Sequence, residues 1–251
     1  MNVRGKVALI TGAAKRLGRT VALTLAEAGA DLVLHVYRSS AEELVSQVKG
    51  LGRHVVVIRA DLTHPQEAMR MAEETHTLVG NIDVLVNNAA VFYSSPVSSL
   101  TSGDWRNVLA VNLTAPFVLA TMLGRRMQKR GSGKIIQLGD WSGQRPTPGY
   151  LPYCVSKGGV HMLTIALAKA LAPHVQVNEI VLGPILPPEH YEVEAINAII
   201  QQTPLLRFGN SADVARAIRF LVEDGDFVTG TAYMVDGGWL ARPPSGMKTS
   251  W

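Results

Sequence analysis

Lys6-Val7-Ala8-Leu9-Ile10-Thr11-Gly12-Ala13-Ala14-Lys15-Arg16-Leu17-Gly18 carries the reading of the whole chain. Its first half is a short apolar, β-branched run of the kind that forms a buried strand. Thr11-Gly12 then breaks the run, and a helical pattern begins at Arg16, with Val21, Leu25 and Ala28 on one face and Gly29 closing it. A strand, a tight glycine turn and a helix N-terminus together aim backbone N–H groups and a partial positive charge at one point. That arrangement suits a pyrophosphate. Arg16 stands where a glycine is usual, so its side chain points outward and can reach a phosphate.

Outward from this stretch the same alternation repeats. Strands are expected at 31–36, 54–59, 82–87, 134–138, 175–181 and 231–235, and helices at about 41–51, 65–79, 104–128, 153–172 and 211–221. Seven strands of near-continuous apolar character need cover on both sheet faces. The expectation is an α/β chain with a single-domain Rossmann fold, a doubly wound seven-stranded parallel sheet over residues 1–242. In such a sheet the first strand-to-helix turn is where a dinucleotide binds. A proline-rich segment from Pro184 to Glu194 interrupts the pattern at a strand end and reads as a lid. Residues 243–251, with Pro243, Pro244, Ser245 and Gly246, read as a C-terminal tail, mobile or docked on a partner.

The 251 residues are 47 % apolar and 18 % charged, ordinary for a soluble globular protein. The single cysteine, Cys154, excludes an internal disulfide framework. The start leads directly into a strand and shows no secretory leader, and no apolar run approaches membrane-spanning length, so a cytoplasmic protein without membrane contact is expected. The net charge is +4, but the basic residues are dispersed apart from Arg125, Arg126, Lys129 and Arg130, which read as a solvated helix end, and no nucleic-acid partner is expected. The seven histidines lack ligand spacing, so no metal is expected.

The second strand ends in Val36-Tyr37-Arg38-Ser39. An enzyme that uses NAD commonly keeps an acid there for the ribose 2′-hydroxyl. Arg38 and Ser39 instead suit a 2′-phosphate, which points to NADPH. Asp61 and Leu62, at the third strand end, are placed to cover the adenine, although Thr63 beside them also reads as a helix cap. Asn87-Asn88-Ala89-Ala90 closes the fourth strand beside the same turn. Tyr153 and Lys157 lie one helical turn apart. An ammonium there lowers the phenol's ordinary pKa of ~10, and such a tyrosine can donate a proton as a hydride arrives next to it. Asn112 lies inside a long helix, where its amide can interrupt the ladder and hold a water. Asp140 ends the fifth strand and Gly183-Pro184 the sixth.

These residues together resemble the short-chain dehydrogenase/reductase family, over nearly the whole chain from Thr11 to Asp236-Gly237-Gly238. Within that family the chain looks like the pteridine reductases. The shared stretches are Thr11 to Arg19, Leu34-His35 with Arg38-Ser39, the spacing from Asp140 to Tyr153, and Phe92 after Asn87-Asn88-Ala89-Ala90-Val91. The resemblance implies a catalytic set of Asp140, Tyr153, Lys157 and Asn112, with Asp140 in place of the family's usual serine. It implies cofactor contacts at Thr11, Gly12, Arg16, Leu17, Gly18, Tyr37, Arg38, Ser39, Asp61, Leu62, Asn88, Ala89, Ala90, Tyr153, Lys157, Pro184 and Ile185. Phe92 would stack a pterin, Arg16 would touch phosphate or pterin, and Trp141 would line the pocket or only its loop wall. A homotetramer is implied as well.

An ionised Asp140 repels the oxyanion of a reduced ketone but accepts hydrogen bonds from a pterin's N–H groups. The expected function is therefore NADPH-dependent reduction of a pterin or folate. The alternatives are a ketone reductase of the 3-oxoacyl thioester type and a non-catalytic, dinucleotide-binding redox sensor.

Overall fold

In a computed structural model, residues 1–187 and 191–241 are described. The tail 243–251, the domain limit at 242 and the middle of the expected lid lie outside them. The strands are β1 (Val7–Ile10), β2 (Asp31–Val36), β3 (Val55–Arg59), β4 (Val84–Asn87), β5 (Gly133–Asp140), β6 (Val175–Leu182) and β7 (Ala232–Val235). The helices are α1 (Arg16–Glu27), α2 (Glu42–Gly50), α3 (Pro65–Val79), α4 (Ser102–Leu109), α5 (Ala115–Arg130), α6 (Leu151–Leu171), α7 (Val193–Gln202) and α8 (Ser211–Glu223). All seven strands pair in parallel in the order β3-β2-β1-β4-β5-β6-β7.

Successive strand residues point to opposite faces, so each strand feeds two cores. Ile10, Leu34, Val86, Ile136 and Ile180 pack with Val21 and Leu25 of α1, Leu44 of α2 and Ile218 and Leu221 of α8. Leu9, Val33, Leu85, Ile135 and Val177 pack with Met71 of α3, Leu119 and Leu123 of α5 and Leu167 of α6. The strand order reverses between β1 and β4. Their carboxyl ends therefore diverge there and leave a crevice.

Two differences from the sequence expectation concern helices. The single helix expected at about 104–128 is α4 and α5 joined by a π-helical turn, Ala110–Thr114. Asn112 sits in that turn, which widens the ladder by one residue. Its Oδ1 accepts from the Val91 N–H at 2.8 Å, and its Nδ2 donates to the Val91 carbonyl at 3.0 Å and to Ser156 Oγ at 3.2 Å. The amide thus clamps the loop after β4, with both donor hydrogens engaged by protein. Second, α7 had no strong signal, because it follows a proline-rich stretch and has no fully buried face.

The continuous stretch Ser102–Arg130 is long and apolar enough by composition to cross a bilayer, contrary to the expectation of no such run. Leu119, Leu123 and Met127 on it are core residues. Of the basic cluster, Arg126 is anchored on Glu73 and on the Ala72 carbonyl, and Arg130 on Asp83 and on the Ile82 carbonyl.

Two polar welds hold the β1 turn in the crevice. Thr11 Oγ1 accepts from the N–H groups of Asn88 and Ala89, both at 2.9 Å, and Asn88 Nδ2 donates to the Thr11 carbonyl at 2.7 Å. His35, 2 % exposed, joins three strands. Its Nδ1 lies 3.1 Å from the Gly12 N–H, its Nε2 lies 3.1 Å from the Ala60 carbonyl, and its own carbonyl accepts from Ala13 at 3.0 Å. A carbonyl only accepts, so Nε2 carries the hydrogen and Nδ1 takes the Gly12 hydrogen. The ring is therefore neutral.

Burial pushes the His35 pKa below its ordinary value, against the upward pull of its bond to Ala60. The unfolded chain then takes up this proton more readily than the native one. The stability His35 contributes is complete above about pH 6.5 and is lost as the pH falls below that value. Urea denaturation across the acid range should show this loss in the wild type and a flatter profile in His35→Gln; parallel profiles contradict it.

Candidate active site

The carboxyl ends of β1 to β6 open into a cleft of about 520 Å³. The β1 turn forms its floor, with Gly12, Arg16, Leu17 and Gly18 on the lining. Gly12 has φ +64°, and a Cβ on Gly18 would lie 2.3 Å from the Gly12 carbonyl oxygen, so α1 approaches the turn more closely than any side chain allows. Arg16 has φ +50°, a left-handed conformation that strains a non-glycine residue by roughly 1–2 kcal/mol. Its guanidinium reaches across to the Pro187 carbonyl at 3.3 Å, bridging the turn to the segment after β6.

Tyr37, Arg38 and Ser39 from β2, Asp61 and Leu62 from β3, and Asn88, Ala89 and Ala90 from β4 line the same cleft. The Arg38 guanidinium carbon sits 4.7 Å above the Tyr37 ring. No carboxylate ends β2. Asp61 accepts from the Thr63 N–H at 3.0 Å and its hydroxyl at 2.7 Å. Thr63 is not the helix cap; that position is His64, without a side-chain cap bond.

Three of the expected cofactor contacts turn away from the cleft. Thr11 is 2 % exposed and uses its hydroxyl on the β4 backbone, so it shapes the turn from behind. Ile185 is 6 % exposed and packs into the core against Gly209. Pro184 accepts from the Gly209 N–H through its carbonyl at 2.8 Å, and neither its side chain nor that of Ile185 lines the cleft. The chain folds down toward α8 immediately after β6, which spacing alone does not reveal.

The wall above the β4 and β5 ends carries the ionisable cluster. Tyr153 and Lys157, from the first turns of α6, face the cleft. Asp140 is the last residue of β5; its Oδ1 accepts from the Ser142 N–H at 2.8 Å, and its carboxylate faces the Tyr153 hydroxyl. A Cβ on Gly143 would lie 2.7 Å from the Lys157 carbonyl carbon, so this glycine lets α6 pack directly on the turn after Asp140. Lys157 Nζ donates to the Leu138 carbonyl at 2.7 Å and stands 5.6 Å from the centre of the Tyr153 ring.

Burial pushes the Asp140 pKa up, opposed by its bonds to Ser142, by Lys157 and by Tyr153. Burial lowers the Lys157 pKa, opposed by Asp140 and Glu179. Tyr153 corrects the sequence expectation. Burial first and the Asp140 carboxylate second push its phenol well above the ordinary range rather than below it. The ammonium donates to the Leu138 carbonyl, while the phenol faces a carboxylate, so burial and that carboxylate both favour the protonated phenol.

Aromatic rings flank this cluster. Phe92, 46 % exposed, stacks on Tyr150 at 4.6 Å with planes 1° apart and meets Tyr153 edge-on at 4.8 Å. Tyr191, within the expected lid, faces Tyr150. Sequence reading passed over Tyr150, whose only signal was its position just before the Tyr153 helix. Asp140, Phe92 and Tyr150 stand behind or beside the cleft lining at Tyr153, and Trp141 is likewise not part of that lining. Its ring packs 5.3 Å from Trp239, and Arg145 nearby donates to the Leu240 carbonyl at 3.1 Å. These contacts fasten the segment after β7 to the loop that carries Asp140. Among the described residues no cluster of three or more His, Cys, Asp or Glu side chains could hold a metal ion.

Comparison with known proteins gives this geometry a context. A 3-oxoacyl-[acyl-carrier-protein] reductase of Synechocystis is 34 % identical over 242 residues, spanning 94 % of this chain and 97 % of the relative. A 5-keto-D-gluconate 5-reductase of Escherichia coli is 32 % identical over 252 residues, spanning 95 % and 97 %. A blue fluorescent protein from a metagenomic library, solved in complex with NADPH, superposes with a TM-score of 0.89 at 30 % identity, over 95 % of this chain and 99 % of that one. The family profile described as short chain dehydrogenase matches residues 6–195. With its parallel sheet, glycine turn and Tyr153-Lys157 pair in one crevice, the chain belongs to the short chain dehydrogenase family.

Proposed function

We propose that this protein is an NADPH-dependent reductase whose substrate is a flat, oxidised pterin or folate ring. The observation that carries the substrate class is the Asp140 carboxylate facing the Tyr153 hydroxyl, with the Tyr153 ring edge-on to Phe92 and Phe92 stacked on Tyr150. The cradle around Gly12 and Gly18 is open to a pyrophosphate, and Arg38 with Ser39, with no acid at the carboxyl end of β2, fits a 2′-phosphate. The NADPH complex of a structural relative supports the same cofactor.

NADPH, when bound, supplies a hydride. The protein's part is the proton. Tyr153 stays protonated throughout the neutral range and yields its hydrogen only to a strongly basic atom, such as the ring nitrogen or oxygen left anionic beside a newly formed C–H bond. Asp140 holds the hydroxyl in line and accepts N–H groups of a heterocycle. Lys157, fixed on Leu138, places a positive charge beneath the developing anion. Asn112 keeps the Val91–Phe92 loop in place through Val91.

The relatives favour a second reading. Both enzymes compared above are named for ketone substrates, an acyl thioester and a keto-sugar acid. They support the ketone alternative more strongly than a pterin, and Asp140 with its aromatic neighbours is the argument for the pterin. The reading extends to a homotetramer, supported by the exposed Trp105 and Phe117 on α4 and α5 and by Phe220 and Tyr233 beside the sheet edge.

Loss of reduced-cofactor absorbance should follow addition of dihydrobiopterin or dihydrofolate, and Asp140→Ser should slow that turnover by roughly 10²-fold. Turnover confined to acetoacetyl thioester or 5-ketogluconate would establish the ketone reading, and none with any of them would favour a binding protein. Arg38→Ala should weaken NADPH binding by roughly 10- to 100-fold, the worth of a hydrogen bond to a charged group, and leave NADH binding unchanged. Fluorescence titration reads both; an equal loss for the two nucleotides contradicts the assignment.

A further inference from the structure

A second carboxylate lies behind the catalytic wall, and the chemistry above does not use it. Glu179, in the middle of β6, is 1 % exposed. It pairs with Gln137 in the β5–β6 register, one step from Gly139 on the same sheet face. A Cβ on Gly139 would fall 1.7 Å from Glu179 Oε1, so the carboxylate occupies the space that any other residue at 139 would fill. Gly139 lies between Leu138, whose carbonyl holds Lys157 Nζ, and Asp140. On the far side, Glu179 Oε2 is 2.7 Å from Nδ1 of His161, one turn of α6 beyond Lys157 and 37 % exposed at its side chain. The fold has therefore reserved a position for a buried acid against the strand segment that carries the catalytic carbonyl and carboxylate.

An ammonium buried as deeply as that of Lys157 loses its hydration and needs compensating negative charge. Asp140 supplies one carboxylate, but it is committed to the Ser142 N–H and faces the Tyr153 hydroxyl. The titratable groups facing Glu179 are His161 and Lys157 from α6 and Asp140 from β5; burial pushes its pKa up, and its bond to His161 and the Lys157 ammonium oppose that rise. From β7, Tyr233 registers with Ile180 and so lies on the other sheet face.

We propose that Glu179 is a positioning residue, the second counter-charge that keeps Lys157 an ammonium inside the closed site, with His161 as its partner on the solvent side. Its value to catalysis rests on the reductase reading above, but the charge on Lys157 does not. An uncharged residue at 179 leaves one anion for Lys157, and the ammonium then gives up its proton at lower pH. His161 bonds the opposite oxygen and holds the carboxylate oriented without entering the cleft.

The test is an NMR titration of protein labelled with ¹³C-lysine, free of nucleotide and substrate, with the Lys157 signal identified by its loss in Lys157→Arg. Glu179→Gln should lower the Lys157 midpoint by roughly one pH unit, and Glu179→Asp, which retains the charge, should restore most of it. Where Glu179→Gln folds poorly by circular dichroism, Glu179→Met fills a similar volume without charge and should show the same shift. Equal midpoints in the folded wild type and the folded neutral variant overturn the proposal. NADPH binding on the same samples keeps the two readings apart: its absence from the wild type would sink the reductase assignment and leave the Lys157 titration interpretable.

Discussion

The constraint on which the site depends is the placing of the Tyr153 hydroxyl against the Asp140 carboxylate, with the Lys157 ammonium anchored two strand residues away on the Leu138 carbonyl. Burial alone would oppose every charge in this group. It persists because each member has partners. Asp140 takes the Ser142 N–H, Lys157 takes a carbonyl, and Gly143 removes the side chain that would keep α6 away from β5. A phenol placed next to an anion keeps its proton, so the site is a loaded donor. This differs from the simple picture of a lysine that makes its neighbour acidic. The Lys157 charge still matters, because it stabilises whatever anion the transferred hydride leaves behind.

Opposite this cluster, the glycine turn is held by groups that do not themselves touch a ligand. Thr11 and Asn88 tie β1 to β4 across the point where strand order reverses, and His35 ties the turn to β2 and β3. The crevice exists because these two neighbouring strands lead to opposite faces, and the welds prevent it from collapsing. Arg16 adds a strap from the turn to Pro187. The strain at its positive φ is consistent with a residue kept for its guanidinium, since glycine would fit the turn more easily.

The fold was legible because two periods alternate cleanly: apolar strand runs and amphipathic helices leave a doubly wound sheet as the simplest packing. The site was legible where residues sit at carboxyl strand ends or at fixed helical spacing. Gly12, Arg38, Asp140, Tyr153 and Lys157 all meet in one region for that reason. What sequence left hidden depends on direction. Thr11 and Ile185 occupy the expected positions but point inward, and Trp141 turns to a partner 98 residues along the chain, Trp239. The π-turn at Asn112 preserves a helical pattern while shifting its register. The direction of the Tyr153 shift could not be read from a four-residue spacing, because burial and Asp140 outweigh the lysine. Substrate class is split for a similar reason: overall likeness follows ketone reductases, whereas a single residue at 140 and the rings around it argue for a heterocycle.

The most direct measurement of the central claim is the ionisation of Tyr153 itself, read as phenolate ultraviolet absorbance in the wild type minus that of Tyr153→Phe, without nucleotide or substrate. The account predicts that Tyr153 ionises above the ordinary phenol value of ~10 and that Asp140→Asn brings it down, because the anion next to the phenol is gone. A Tyr153 that ionises well below that value in the wild type, or one indifferent to Asp140→Asn, would contradict it.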